Sequence, residues 1–339
     1  MPKVSVCVPI YNVEKYIEKC ARSLFEQTLD DIEYIFVNDC TPDKSISILK
    51  QALKEYPHRQ QQVKIISHQT NMGSAAARNT CLSAATGEYI GWCDSDDWIE
   101  DNMFECMYLK AKETNADIVC CNYITEYQHK QINEEFTYLE ETKQILQDSK
   151  PTILNSSLCN KIIRKTLYEQ NDIRPYDGIN MNEDLGMTIR LRYLSCKTLI
   201  IPQAFYHYNR LNLSSMIATP KLKFIEESIE CARLLSDWFA QKSDGYKYEK
   251  LLCNIKFMAK AGLIAQPYLS IFKQWKKIFP ETNKDIWQHK ELNFITRLVM
   301  WLSLHHCSNI IFYPYQSRKF IQNFIRTIMT SRSHRAVNN

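Results

Sequence analysis

Five short, almost wholly apolar runs in the first 125 residues alternate with segments whose apolar positions recur every three or four residues, and this alternation restricts the fold more than any other feature. The runs are Val4 to Ile10, Tyr34 to Val37, Val63 to Ile66, Glu88 to Cys93 and Asp117 to Cys121. Strands without polar alternation are those covered on both faces. The intervening patterns, such as Tyr16, Cys20, Leu24 and Ile46, Leu49, Leu53, read as helices, so the units are βαβ. The fold class is therefore α/β, with a mainly parallel sheet flanked by helices. Residues 126 to 150 are polar and keep no stable period, which predicts a loop or weak helix. A helix is expected over Glu183 to Leu194 and a strand over Lys197 to Ile201. Beyond Pro220 the pattern is helical, with Ile225, Ile229, Ala232 and Leu235 on one stripe; a loop holding Ser214, Ser215 and Pro220 marks a boundary near 215 to 222.

With 339 residues, 45% of them hydrophobic, the chain can bury a sizeable core. No apolar stretch approaches the roughly 18 residues of a membrane-spanning helix. Thirteen cysteines occur without CxxC spacing, and the first residues reach a charged segment too soon for a secretory signal, so a reducing, cytoplasmic compartment is expected. The net charge of +4 is a cancellation. Residues 251 to 339 hold thirteen Lys and Arg against three Asp and Glu, while the first 250 hold 29 against 35. This division suggests two jobs within one chain, and it removes the case for nucleic acid as a partner.

Ligands of open parallel sheets bind at the carboxyl ends of the strands. There the sequence places Pro9, Tyr11 and Asn12, then Asn38 and Asp39, then Asn71, Gly73, Arg78 and Asn79, then Asp94, Ser95, Asp96 and Asp97. Three carboxylates within four residues repel one another unless a cation or hydrogen-bond donors neutralise them. A hard divalent ion such as Mg²⁺ or Mn²⁺ suits oxygen ligands and leaves positions for phosphates. The alternative is a solvated turn with Asp96 or Asp97 capping the next helix. Three of the seven glycines, Gly73, Gly87 and Gly91, crowd just before this turn. There is no GxGxxG after the first strand and no GxxxxGK[ST] anywhere, which argues against a dinucleotide-binding or P-loop protein.

Taken in order, Val4 to Asn12, then Phe36-Val37-Asn38-Asp39-Cys40-Thr41-Pro42-Asp43, then Asn71-Met72-Gly73 with Ala77-Arg78-Asn79, and Gly87 to Ile90 leading into Asp94-Ser95-Asp96-Asp97, resemble the nucleotide-sugar-binding half of the family 2 glycosyltransferases. The likeness continues more sparsely through Asn160-Lys161, Glu183-Asp184 and Tyr206-His207-Tyr208 to about residue 215. It implies a GT-A fold catalytic domain over 1–215, with a donor-binding half over 1–122 and an acceptor-side half over 123–215, followed by a basic helical region over 216–339. It implies an inverting, metal-dependent transfer from a nucleoside diphosphate sugar, by default a UDP-sugar, to a glycan or lipid-linked acceptor in surface polysaccharide biosynthesis. By similarity Asp39 accepts a hydrogen bond from the base, Pro9 and Tyr11 shape the nucleoside pocket with Arg78 and Ser95 close by, Asp94 approaches the nucleoside, and Asp96 is a metal ligand. Asn38 and Cys40 depart from the Asp and Gly that many relatives carry.

Displacement at the anomeric carbon needs a base, and Asp184 matches the family's position for it; the alternative is that Glu183 and Asp184 only favour the first turn of their helix. Lys161 either meets substrate or snorkels to water, and His207 is either structural or near the diphosphate. After residue 250, basic residues mix with Trp275, Phe279, Trp301, Phe320, Phe324 and Arg326. That mixture suits helices lying on an anionic membrane surface, which would make the protein peripheral on the inner face of the membrane. Packing against the catalytic domain is the other reading. Two further function classes stay open: a sugar-nucleotide nucleotidyltransferase, against which the lack of a glycine-rich loop after the first strand counts, and a non-catalytic nucleotide- or glycan-binding relative, against which Asp96 and Asp184 count.

Overall fold

The computed structural model describes residues 1–149, 156–212, 221–305 and 307–317, and two compact units emerge, one from residues 1–219 with 230–252 and one from 220–229 with 253–339. In the first unit the strands are β1 (Val4–Ile10), β2 (Ile32–Asn38), β3 (Val63–Ser67), β4 (Tyr89–Trp92), β5 (Trp98–Ile99), β6 (Ile118–Tyr127), β7 (Lys130–Glu134), β8 (Glu140–Glu141), β9 (Lys161–Arg164) and β10 (Thr198–Asn209). Its helices include α1 (Ile17–Phe25), α2 (Ser45–Lys54), α3 (Ser74–Ala84), α4 (Met103–Thr114), α5 (Lys143–Asp148), α6 (Lys165–Gln170) and α7 (Glu183–Leu194).

The sheet runs β3-β2-β1-β4-β9-β6-β10-β5. Its first four strands are parallel, as the βαβ pattern requires. β9 then lies antiparallel to both β4 and β6, so the sheet is mixed, and β10 returns parallel to β6. Alternate residues of β2 explain the absence of polar alternation. Tyr34 and Phe36 join the core under α1 and α4, while Ile35 and Val37 join the opposite core with Ala77 and Cys81 of α3 and Met187 and Leu191 of α7. Every side chain along such a strand meets a helix. The strand order reverses between β1 and β4, so a crevice opens at their carboxyl ends.

Two segments differ from the sequence-based expectation. Residues 126 to 149 form the end of β6, its hairpin partner β7, β8 and the short helix α5, so up to residue 141 strands stand where the sequence predicts a loop or weak helix. The β6–β7 ladder is held by main-chain hydrogen bonds and β7 buries none of its side chains fully, so no apolar period betrays it. The strand expected to end at Ile201 continues to Asn209 through register shifts at Ile201/Ala204 and Ala204/Tyr206, where exposed Pro202 cannot donate to a ladder. The boundary loop with Ser214, Ser215 and Pro220 lies outside the described residues, as do Phe320, Phe324 and Arg326.

One buried carboxylate ties three strands and a turn together. Burial would raise Glu33, but hydrogen bonds donated by Ser5 Oγ, Lys64 Nζ and Thr86, from both its N–H and its hydroxyl, hold the carboxyl below the usual range. A depressed carboxyl stabilises the fold above its unfolded pKa and loses that contribution as pH falls through the folded value. Glu33→Gln is therefore expected to cost about 1–3 kcal/mol at pH 7. The gap from the parent should narrow below about pH 4 in urea unfolding; equal stability at pH 7 would discount the network.

The second unit contains helices α8 (Leu222–Ala240, through Ile229), α9 (Glu249–Ala261, from Cys253), α10 (Leu269–Gln274) and α11 (Phe294–Leu304), with 3-10 turns between them. Phe257, Phe272, Trp275, Met300 and Phe312 are buried in it, and Trp275 Nε1 donates to Ser303 Oγ at 2.8 Å. Lys260 is buried as well; its ammonium donates to the carbonyls of Ile278 and Phe279 and to Asn283 Oδ1. None of the described helices is long and apolar enough to cross a membrane.

Candidate active site

The acidic turn follows β4 at the crevice. Its backbone closes with Asp97 N–H donating to the Asp94 carbonyl at 3.0 Å, and its three carboxylates meet different partners. Asp97 turns inward, where Tyr206 Oη donates to it at 2.6 Å and the Asn209 N–H at 2.7 Å. Burial, reinforced by the charges of Asp96 and Asp94, pushes its carboxyl well above the ordinary range. Asp96 is only partly covered, accepting from Asn212 Nδ2 at 2.7 Å; desolvation and the neighbouring Asp94 push it up to about 6. Ser95 is buried between them. Tyr206, Asn209 and Asn212, which follow one another along and just beyond β10, thus set the direction of the turn.

Asp94 faces Arg78 of α3, whose Nη2 donates to it at 2.9 Å, and the Cys159 thiol lies 3.5 Å from its other oxygen. Arg78 is buried, stacks 5.0 Å from the Trp92 ring, and donates through Nε to Glu183 at 3.1 Å; its Nη1 is buried without a partner. One guanidinium therefore bridges the end of β4 and the first turn of α7. That helix starts from Asn182 in the left-handed region at φ 66°, which swings Glu183 inward. Burial raises the Glu183 carboxyl to about 7 despite Arg78, while Asp184, also raised by burial, stays part-exposed and accepts from the Leu185 N–H at 2.7 Å. Asp184 is near enough to Arg78 for the guanidinium to lower its carboxyl.

On the other wall Asp39 is buried, and its two oxygens accept from His68 Nδ1 and the N–H groups of Met72 and Gly73, each at 2.8 Å. Gly73 sits at φ 91°, and a Cβ there would lie 2.1 Å from Asn180 Oδ1, so both conformation and space require glycine. Asn180 in turn accepts from the Ala75 N–H at 3.2 Å and from Ser74 Oγ at 3.0 Å, clamping the start of α3 to the segment that leads into α7. The two departures from the family pattern have local reasons. Asn38 Oδ1 accepts from the Thr41 N–H, a turn contact that does not need a charge, and Cys40 has φ 54°, the conformation for which glycine is the usual residue. Pro9 is half-buried at the end of β1, and Tyr11 just beyond is 48% exposed.

Lys161 does not snorkel to water: it is buried, donates to the Ser157 carbonyl and Asn160 Oδ1, and its charge is near enough to Asp184 to lower that carboxyl. His207 has its ring nitrogens 2.7 Å from Glu126 and 2.8 Å from Glu100 and stacks on Trp98. Sequence reasoning did not find Cys159, Asn180, Asn212 or the inward role of Glu183, because each is defined by a partner 65 to 116 positions away. Among the described residues, Asp94, Asp97 and Cys159 bring ligand-type atoms within 4.8 Å of one another.

The model of Glycosyl transferase family 2 matches residues 5–171. The uncharacterized glycosyltransferase EpsJ of Bacillus subtilis is 32% identical over 238 residues, 68% of this chain and 67% of its own length. The minor teichoic acid biosynthesis protein GgaB of Bacillus subtilis is 29% identical over 225 residues, 64% of this chain and 24% of that protein. Among solved structures, TarS 1-349 of S. aureus in complex with UDP-GlcNAc superposes with a TM-score of 0.70 at 20% identity, covering 95% of this chain and 92% of that one, a likeness of fold. The fold is accordingly of the GT-A kind, and by its motifs and the extent of its match to EpsJ the chain belongs to glycosyl transferase family 2.

Proposed function

We propose that the chain transfers a sugar from a nucleoside diphosphate sugar, with a UDP-sugar as the first choice, to a hydroxyl of a glycan or lipid-linked acceptor, inverting the anomeric carbon, in the assembly of a surface polysaccharide. The observation that carries this reading is the ionic chain from Asp94 through Arg78 to Glu183, with Asp184 next to it. A one-step displacement needs stabilisation of a departing diphosphate on one side and a base on the other, and this chain joins the two elements that supply them. The UDP-GlcNAc complex of TarS favours a UDP-sugar, and the role of GgaB in teichoic acid biosynthesis favours a surface polymer. A nucleotide-sugar donor suits a cytoplasmic enzyme working at the inner face of the membrane.

Each residue has a task in this reading. Pro9 and Tyr11 flank the nucleoside; Asp39 orders the Met72-Gly73 loop and meets the base at its edge; Asp94 and Ser95 meet the nucleoside with Arg78 behind them. Asp184 takes the proton of the acceptor hydroxyl, and its raised carboxyl makes it the stronger base. The donor set fits a hard divalent cation. Asp96 is pushed up to about 6 by burial and Asp94, a charge cost that a cation relieves, whereas Asp97 already accepts two strong hydrogen bonds. Asp96 would hold Mg²⁺ or Mn²⁺, which when bound supplies Lewis-acid neutralisation of charge on the leaving diphosphate.

The test is a thermal-shift panel of nucleotides and nucleotide sugars with Mn²⁺, Mg²⁺ or EDTA. UDP at a hundredfold excess over its Kd is expected to stabilise by about 2.7 kcal/mol. Asp96→Asn should lose the metal-dependent part of the shift and keep the remainder. If no nucleotide stabilises the protein with any metal, the donor-site reading fails.

A further inference from the structure

We infer that α11 carries a bilayer-docking face for anionic lipid. Along α11, Phe294, Arg297, Trp301 and the following His305 are spaced three, four and four residues apart and so share one stripe, opposite the buried Val299, Met300 and Ser303. Phe294 is 60% exposed and Trp301 39%, and Trp287, 42% exposed, extends the stripe with its ring 5.9 Å from Phe294. The Arg297 guanidinium lies 5.8 Å from the Trp287 ring, and the His305 ring lies 4.5 Å from that of Trp301. Large aromatic rings left in water at a continuous stripe are an apolar cost that a partner surface removes.

The charge pattern selects the partner. From residue 292 to residue 317 the sequence contains no Asp or Glu, while 253 to 317 holds eight Lys and Arg against three acids, with Lys284 and Lys290 exposed near the stripe in sequence. A second copy of the chain would meet the face isologously, bringing Arg297 against its equivalent, while the nearest carboxylate in sequence, Glu291, is already 2.6 Å from His289 Nδ1. Anionic phosphate headgroups answer Arg297 and the exposed Lys284 and Lys290, and the acyl boundary accepts Trp and Phe, the residues that prefer the interface. α11 is too short to span a bilayer and suits lying in its surface. The inference deepens the lipid-linked acceptor reading and rests on it for its purpose; vesicle binding is read independently of donor binding.

The experiment is sedimentation of the full chain with vesicles of phosphatidylcholine alone or mixed equally with phosphatidylglycerol, in parallel with UDP thermal shift and light scattering. The chain is expected to pellet with the anionic vesicles only, and brominated acyl chains should quench its tryptophan fluorescence. Phe294→Ser/Trp301→Ser should need about tenfold more lipid for half-binding, with the UDP shift intact. Arg297→Gln, which leaves the aromatic rings in place, should weaken binding less and reduce its salt dependence. Failure of the parent to pellet overturns the inference even if UDP binds. So does equal pelleting of the double variant, or a double variant that turns a dimer into a monomer while the parent ignores vesicles. Absence of the UDP shift in a parent that still pellets would reject the donor reading alone.

Discussion

Asp184→Asn is expected to lower the rate of sugar transfer by about 10² to 10⁴ while leaving nucleotide binding nearly unchanged. The substituted amide keeps the shape of the side chain and can still accept from the Leu185 N–H, so the start of α7 should hold its geometry. What it loses is the ability to take a proton from an acceptor hydroxyl. Stability should behave oppositely to activity. Because burial raises the Asp184 carboxyl, its charged form weakens the fold above the unfolded carboxylate pKa, and a neutral amide removes that cost. Single-turnover transfer, UDP thermal shift and urea unfolding measured together separate these effects. Transfer at the parental rate would show that a different group is the base.

The second large effect is expected at Arg78. Replacing it with Met leaves Asp94 and Glu183 without the cation that joins them and should cost about 3–5 kcal/mol, since a buried charge deprived of its partner is more expensive than the pair was favourable. Glu183, already raised to about 7 with the guanidinium present, should hold its proton to still higher pH. Arg78→Lys tests geometry against charge. A single ammonium cannot span Nε and Nη2 contacts to carboxylates from two elements while stacking on Trp92, so Lys should recover part of the stability and less of the transfer rate. The readouts are the urea midpoint and the KM for donor against kcat. An Arg78→Met protein as stable as its parent would mean that the bridge contributes little to the fold.

The parallel half of the sheet could be read directly, because residues such as Ile35, Phe36 and Val37 are apolar on both faces and nothing but a doubly covered strand explains them. The antiparallel insertion of β9 could not. Lys161 to Arg164 is a four-residue strand whose lysine is buried by carbonyl and amide acceptors, and no local period identifies such a segment. Nor did residues 126 to 150 announce β7 and β8, whose pairing is a main-chain matter. The same distinction holds at the crevice. Strand-end positions brought Asp39, Arg78 and the acidic turn forward as candidates, and the resemblance to family 2 glycosyltransferases brought Asp184. Which oxygen each carboxylate turns to which donor was not legible.

Family membership and the parallel frame of this protein were written in the chain itself, because strand burial and turn residues act over a few positions and leave a local pattern. Tertiary structure alone decided which partner each aspartate of the acidic turn meets. Tyr206 and Asn209 draw Asp97 inward, Arg78 takes Asp94, and Asp96 is left with Asn212. Those partners stand 16 to 116 positions away, and only such distant donors give like charges so close together different environments.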